Sequence, residues 1–417
     1  MSKTPGKRPF HGWRVLMALF IVGATGPMAR YSITAFFPAI SSELQWSHSQ
    51  IGLSQSISLW AYSFFSLFTG WMVDRLGSRK TIFMGGLWCL AGWLLLSTVT
   101  SLRQLYFYYG IIMAMAMAST HLVPTQATAR KWFIKRAGIA GGIIGSAFAV
   151  GNAIFVPFIT SMSSAYGWRS VSIGCAFIFS IPILLLAFFL IRNTPESVGQ
   201  LPDGAKFPLK IKGSPESIEI NWSVRDALKT PQLWLLFVSY GVTGIVINAL
   251  QAHLVIWGVE LGSTAAVAGV LVTLFNGPSI VARIGGGWLA DKFGKSKILV
   301  LGAALSLLVI LLAWFGINTE NELFIFAPIL GIGTSLSNTL FAPYIGDLFG
   351  RINVGSLFAI LTLGWGLVGG FGPIIWGIIF DNTGSYGGAL LISAVCCAIA
   401  LAAQLLIRPP RLKQVKK

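Results

Sequence analysis

The sequence predicts an all-α membrane protein: twelve transmembrane helices in two pseudo-symmetric six-helix bundles. Three observations carry this. Hydrophobic residues make up 55% of the 417 residues and charged residues only 10%, with a mean hydropathy of +0.75. A soluble domain carries roughly 25% charge, and so little polar surface cannot cover a soluble globule of this length. The apolar residues fall in runs of about 20 or more, the length a helix needs to cross the hydrocarbon core. One stretch also occurs twice. Gly70-Trp71-Met72-Val73-Asp74-Arg75-Leu76-Gly77-Ser78-Arg79-Lys80 returns 217 residues later, about half the chain, as Gly287-Trp288-Leu289-Ala290-Asp291-Lys292-Phe293-Gly294-Lys295-Ser296-Lys297.

Taken in order, the first span runs over 13–38, after Lys3, Lys7 and Arg8. That start resembles a signal peptide, but the run from Trp13 to about Pro38 is too long for one. The second (50–73) and third (81–100) flank the first copy of the repeated loop, and the fourth (104–129) ends at Arg130-Lys131. The fifth (138–163) starts after Lys135-Arg136, and the sixth (168–191) stops at Arg192. The seventh (232–259) opens behind Pro231, and the eighth (264–290) closes on the second copy of the loop. The ninth (298–317) begins after Lys297, the tenth (322–348) near Glu320 and Glu322, the eleventh (353–380) after Arg351, and the twelfth (386–407) ends before Arg408. Between six and six lies a polar stretch rich in proline, with Pro195, Pro202, Pro208 and Pro215. It reads as a linker, giving a first bundle over 1–192, a linker over 193–230 and a second bundle with a basic tail over 231–417.

Charge sets the orientation. Every second connection, together with the termini, holds 26 of the 30 lysines and arginines, whereas the opposite connections hold Arg103 and Arg169 with Glu43, Glu260, Glu320, Glu322 and Asp381. The positive-inside rule then places both termini in the cytoplasm of a multi-pass protein in a plasma or bacterial inner membrane. The net charge of +17 is therefore read as orientation in a lipid bilayer rather than as a nucleic-acid footprint. The Asn221-Trp222-Ser223 sequon falls in the cytoplasmic linker and is discounted. Cys89, Cys175, Cys396 and Cys397 all lie in apolar runs, without metal-ligand spacing or an extracellular pair to oxidise. No metal or cofactor is expected, and no nucleophile with base, paired carboxylates or ligand cluster suggests an enzyme.

Two arginines remain inside spans, Arg30 in the first and Arg283 in the eighth. An arginine at mid-membrane costs about 2.5–3.5 kcal/mol on insertion scales, so such a residue faces a cavity or a partner. The acids near spans, Asp74, Asp291, Glu260 and Asp347, all sit near their ends, leaving Arg283 and Arg30 as candidate anion-binding residues against the alternative of structural or snorkelling bases. His121 and His253 also lie in spans, where histidine either moves a proton with substrate or makes an interhelical hydrogen bond. Asn276-Gly277-Pro278 and the stretch Gly364 to Pro373 read as interruptions of spans eight and eleven, at a site, at a gate or simply where helices pack closely. Within the latter, Gly364-Trp365-Gly366-Leu367-Val368-Gly369 matches a dinucleotide fingerprint, rejected because no strand precedes it.

The doubled pattern G-x-x-x-D-R/K-x-G-x-R/K-R/K resembles the loops between helices 2 and 3, and 8 and 9, of the major facilitator superfamily. Within it, Ser32-Ile33-Thr34-Ala35-Phe36-Phe37 after Arg30-Tyr31 is similar to the S-I-T-x-F-F segment of monocarboxylate transporters, with Tyr31 standing where those carry a lysine. The run Arg130 to Gly142 resembles their fifth-span motif, and Arg283 falls where they and the oxalate/formate exchangers carry a substrate-binding arginine. The aspartate one turn before that arginine is here Ser279, and the lysine of the exchangers' span eleven is missing. The resemblance implies a major facilitator fold and a secondary active transporter of a small organic carboxylate, a monocarboxylate of the lactate or pyruvate type, moved by proton symport or by exchange with a counter-anion. Arg283 would pair with the carboxylate, with Arg30 or Tyr31 opposite, His121 as protonatable partner, and Asn152, Asn276 and Tyr344 adding hydrogen bonds. Gly70, Asp74, Arg75, Gly77 and Arg79, with Gly287, Asp291, Lys292 and Gly294, would form conformational latches. Rival readings are an exporter of a larger amphipathic drug or siderophore and a substrate-sensing receptor on a carrier fold.

Overall fold

The computed structural model describes residues 10–26, 28–29, 33, 36, 39–40, 43–46, 48–205, 222–263 and 265–409. Arg30, Tyr31, most of the Ser32–Phe37 segment and much of the linker fall outside them. Within them the chain is helical and contains no strand. In chain order the helices are α1 (Gly12–Thr25), α2 (His48–Arg75), α3 (Ser78–Ser97), α4 (Leu102–Trp132), α5 (Ala137–Tyr166) and α6 (Trp168–Phe189). There follow α7 (Pro231–Glu260), α8 (Ala265–Phe293), α9 (Lys295–Gly316), α10 (Glu320–Phe349), α11 (Val354–Thr383) and α12 (Gly387–Leu406). Ten are long and apolar enough to cross a membrane; α1 and α2 are the others.

In α2 the reason is chemical. Ser54, Ser58, Ser63 and Ser66 are buried in it, and Ser63 and Ser66 donate to carbonyls one turn back, Leu59 at 2.9 Å and Tyr62 at 2.7 Å. Hydroxyls satisfied this way cost little in a dry core, and their small size admits a close neighbour. That neighbour is α11, whose Gly366 sits so tightly against Ser63 that a methyl group there would overlap the hydroxyl.

Each half has a core of its own. Trp93, Phe179 and Phe36 anchor the first, and Trp257, Trp376 and Tyr386 the second. A third cluster joins Val73, Val123 and Ala127 to Ile345, Leu357 and Phe358 at the end that carries the repeated loops. Large apolar side chains such as Phe64, Phe68, Phe177, Phe189, Leu308 and Phe315 are exposed on the outside, as a hydrocarbon solvent allows. All four cysteines are buried and free.

Interruptions fall differently from the sequence expectation. Helix α8 runs through Asn276-Gly277-Pro278 unbroken, with Asn276 Nδ2 donating to Val272 O at 2.9 Å and the Ser279 hydroxyl to Asn276 O at 2.7 Å on its own helix. Helix α11 does break, between Leu367 and Phe371. The rejected nucleotide fingerprint lies in that region, without a strand before it. Two further breaks lie in α4 at His121, with φ −96° and ψ −135°, and in α10, where the α-helix stops at Ser335 and a 3-10 turn at Asn338–Leu340 leads into Phe341–Phe349. Pro124 and Pro343 stand three to five residues beyond these breaks. A proline lacks the N–H that would bind the carbonyl four residues back and its ring crowds that carbonyl, so the disruption appears on its N-terminal side.

Candidate functional site: a central cavity and its closed end

A cavity lies between the halves. From the first half, α2 contributes Leu59 and Tyr62, α4 contributes Met117, His121, Leu122 and Gln126, and α5 contributes Gly145 and Phe148. From the second half come Tyr240, Ile247, Asn248 and Gln251 on α7, Arg283 on α8, Asn338 and Thr339 on α10, and Phe358 and Trp365 on α11. The α7 residues recur at helical spacing and so share one face. His121 and Asn338 are 217 residues apart, the period of the repeated loops, so the breaks of α4 and α10 are counterparts flanking the cavity. Broken helices at mid-membrane expose backbone and polar side chains to a bound solute.

Arg283 is 4% exposed, yet no aspartate or glutamate lines the cavity with it. Its Nη1 donates across the halves to the Gly145 carbonyl at 2.9 Å, and its Nε is buried with no partner among the described residues. A buried guanidinium holding one neutral acceptor is electrostatically incomplete, and an anion is the group that completes it. Tyr240 stacks near Trp365 at 4.8 Å between ring centres and forms an aromatic wall with it. His121 faces the Tyr62 hydroxyl from Nδ1 at 3.3 Å and lies 5.6 Å from the Phe148 ring.

The other candidates are placed elsewhere. Asn152 is on α5 outside the cavity wall, its Oδ1 buried without a partner among the described residues. Asn276 is occupied by its own helix, and Tyr344 lies in the apolar cluster at the loop end. His253 bridges to Pro373 O at 2.8 Å and to the Tyr386 hydroxyl at 3.1 Å, tying α7 to α11 and α12, which is the interhelical hydrogen bond of the two histidine readings. Sequence reasoning missed Tyr62, Gln126, Tyr240, Asn248, Gln251 and Trp365. Their signal is a shared helix face, which becomes visible only once packing assigns the faces.

The repeated loops meet the opposite half. Asp74 accepts from the backbone N–H groups of Gly355 (3.1 Å) and Ser356 (2.7 Å) in the first turn of α11. Asp291 accepts from those of Gly138 (2.6 Å) and Ile139 (2.8 Å) in the first turn of α5. Each carboxylate satisfies orphan donors and sits at the positive end of a helix dipole. Gly355 and Ser356 follow Gly138 and Ile139 by 217 residues, so the two contacts are one contact made twice. Gly70 and Gly287 permit it: a methyl group on Gly287 would lie 2.2 Å from Gly138 O, and one on Gly70 2.6 Å from Gly355 O. Gly77 (φ +84°) and Gly294 (φ +100°) hold the left-handed turns that follow.

The bases act otherwise. Arg79 donates to Phe188 O at 2.7 Å within its own half, Lys292 lies over Trp288 and Phe293, and Arg75 is exposed. A cross-half ion pair does exist, Arg130 to Asp347 at 2.6 Å, with Lys295 on the other Asp347 oxygen at 2.7 Å. Arg130 and Asp347 are also 217 residues apart, so equivalent positions meet with opposite charge. The repeat period was the signal that could have paired them. The cross-half contacts of Asp74, Asp291, Gly70, Gly287 and the Arg130–Asp347 pair hold the two halves against each other at the loop end.

Comparison with known proteins agrees with this architecture. The family model described as Major Facilitator Superfamily matches residues 19–263 and 236–417. The oxalate:formate antiporter of Oxalobacter formigenes is 27% identical over 361 residues, covering 84% of this chain and 80% of that one. The hexuronate transporter of Bacillus subtilis (strain 168) is 24% identical over 417 residues, covering 95% and 94%. A crystal structure of the transporter FucP in the outward conformation superimposes with a TM-score of 0.69 at 19% identity, covering 94% of this chain and 97% of that one, a likeness of fold.

Proposed function

The chain belongs to the Major Facilitator Superfamily and is a secondary transporter, and on that premise we propose that its substrate is a small organic carboxylate, held by Arg283 in the central cavity and carried by alternating access. The observation that carries this reading is the buried Arg283 on a cavity wall that, among the described residues, holds no acid. A cationic substrate would meet repulsion there, and a large apolar one would leave the guanidinium uncompensated. The names of two relatives, an oxalate:formate antiporter and a hexuronate transporter, are those of carboxylate carriers and support the same class.

In this mechanism the bundles 1–192 and 231–417 rock about the cavity, joined by the linker 193–230. The loop end and both termini face the cytoplasm by the distribution of bases. With that end sealed, substrate enters from outside, its carboxylate takes up the free donors of Arg283 and competes with the Gly145 carbonyl for Nη1. The Arg283–Gly145 bond is itself part of the closure between α5 and α8. Loading the site thus loosens the seal beneath it, coupling occupancy to reorientation. His121 is the protonatable partner for symport, and a counter-anion takes that role in exchange.

The test is ligand-induced thermal stabilisation of the purified carrier against mono- and dicarboxylates, with Arg283→Ala beside it. The expected result is stabilisation of the native protein and loss of at least about ten-fold in affinity in the variant, as removal of a charge-assisted hydrogen bond implies. Stabilisation by bulky apolar compounds alone, unchanged by the substitution, would point to an exporter instead.

A further inference from the structure

We infer that the acid taken by this cavity carries hydroxyl groups close to its carboxylate, a 2-hydroxy or polyhydroxy acid, and that Gln126 reads them with Asn338 and Thr339. This rests on the anion reading of Arg283. It adds a second recognition element to the same wall.

Gln126 is 2% exposed, and its Nε2 donates to Gly141 O at 3.0 Å. That bond fixes the amide orientation, because the Gly141 carbonyl can accept only from the N–H side of the amide, and leaves Oε1 as a buried acceptor with no partner among the described residues. Thr339 Oγ1 and Asn338 Oδ1 are likewise buried and unpartnered. Arg283 Nε is an unpartnered donor on the same wall, yet neither Gln126 nor Thr339 nor Asn338 bonds to it. The wall therefore holds a donor at Arg283 Nε and, at Gln126 Oε1, an acceptor that no donor of the described residues fills, while the Thr339 hydroxyl and the Asn338 amide can each donate or accept.

The spacing suits one small molecule. Arg283 is anchored on Gly145 O and Gln126 on Gly141 O, four residues apart on α5 and so about 6 Å along the helix. Thr339 packs against both positions: methyl groups built on Gly145 and Gly141 would meet its side chain and its carbonyl. An ionised carboxylate is an acceptor only. Formate, acetate, pyruvate or oxalate can therefore satisfy Arg283 but gives Gln126 Oε1 nothing. A hydroxyl on a neighbouring carbon donates to Gln126 and can exchange hydrogen bonds with Thr339 and Asn338. A site that keeps buried polar groups for a substrate hydroxyl discriminates strongly against the analogue lacking it, because those groups are then left unpaired.

The experiment compares acids matched in carbon number, butyrate against threonate and propionate against lactate, by equilibrium binding to the purified full-length carrier. The native protein should bind the hydroxylated member of each pair about ten-fold or more tightly. Gln126→Met and Thr339→Val, both close in volume, should remove most of that preference by weakening threonate while leaving butyrate within about two-fold, and Arg283→Ala should weaken both acids. Equal affinity of the native protein for both members of each pair overturns the inference without any variant being needed, while leaving the carboxylate reading standing. So does equal weakening of both acids by Gln126→Met and Thr339→Val. Failure of the native protein to bind any of the four acids overturns this inference, and failure to bind the dicarboxylates beside them removes the anion reading as well.

Discussion

Arg283 was legible at once, because a guanidinium inside an apolar run is conspicuous and its cost demands a reason. Gln126, Asn248 and Tyr62 were not, since an uncharged polar residue in a membrane helix is ordinary and its face is unknown until neighbours fix it. The four glycines of the repeated loops were expected together among the latch residues, and Gly77 and Gly294 hold the turns. Gly70 and Gly287 have a different purpose, backbone contact across the halves, that no spacing in one chain segment reveals. That contact yields a residue-scale expectation. The methyl group of Gly287→Ala would meet the backbone of Gly138, which cannot rotate away, and overpacking of this kind costs about 1–3 kcal/mol. The cost falls on the state with the loop end sealed. A thiol introduced by Ile284→Cys at the α5–α8 contact should therefore label several-fold faster in the Gly287→Ala background than without it, given that the native cysteines are all buried. Unchanged labelling would show that the glycine contact does not hold the seal.

Ten of the expected spans stand among the described residues as helices long and apolar enough to cross a membrane, with ends shifted by a few residues, as with α9, expected from 298 and starting at Lys295. The first, expected over 13–38, is described as a helix to Thr25, and most of its remainder lies outside the described residues. The continuity of the spans was less legible. Proline and glycine marked the break in α11 correctly and suggested one in α8, which runs through Pro278 as a continuous helix. In α4 and α10 the breaks precede Pro124 and Pro343 by a turn, so the disturbed residues themselves look unremarkable. Helix ends carry the other element-scale effect, the carboxylates of Asp74 and Asp291 on the first turns of α11 and α5. A charge at a helix N-terminus contributes about 0.3–1 kcal/mol when exposed and up to about 2 kcal/mol when partly buried. Asp74→Asn and Asp291→Asn should each slow transport several-fold with substrate affinity held within about two-fold, and their effects should be roughly additive since the two contacts share no residue. A loss of affinity as large as the loss of rate would place these acids in substrate binding instead.

At the scale of the whole molecule one repeat period organises everything: Asp74 and Asp291, their partners at 355–356 and 138–139, the breaks at His121 and Asn338, and the Arg130–Asp347 pair are all spaced by 217 residues. Doubling of the loop was readable from the sequence, but the meeting of counterparts across the axis required the packed structure. The Arg130–Asp347 pair departs from symmetry by charge, giving an attraction where identical residues would repel. Arg130 is buried but Asp347 is 36% exposed, so solvent screens the pair and its contribution is about 1 kcal/mol or less. Asp347→Ala should still shift the population toward the state with the loop end open, seen as a modest rise in accessibility of an introduced Ile284→Cys thiol. Unchanged accessibility would reduce the pair to a local structural role. The account as a whole stands on transport. The direct measurement is uptake of a radiolabelled hydroxy acid into proteoliposomes preloaded with the same unlabelled acid, for the native carrier and for Arg283→Ala. The account predicts counterflow by the native protein, abolished by the substitution and merely slowed by Asp291→Asn. Binding without counterflow, or counterflow indifferent to Arg283, would contradict it.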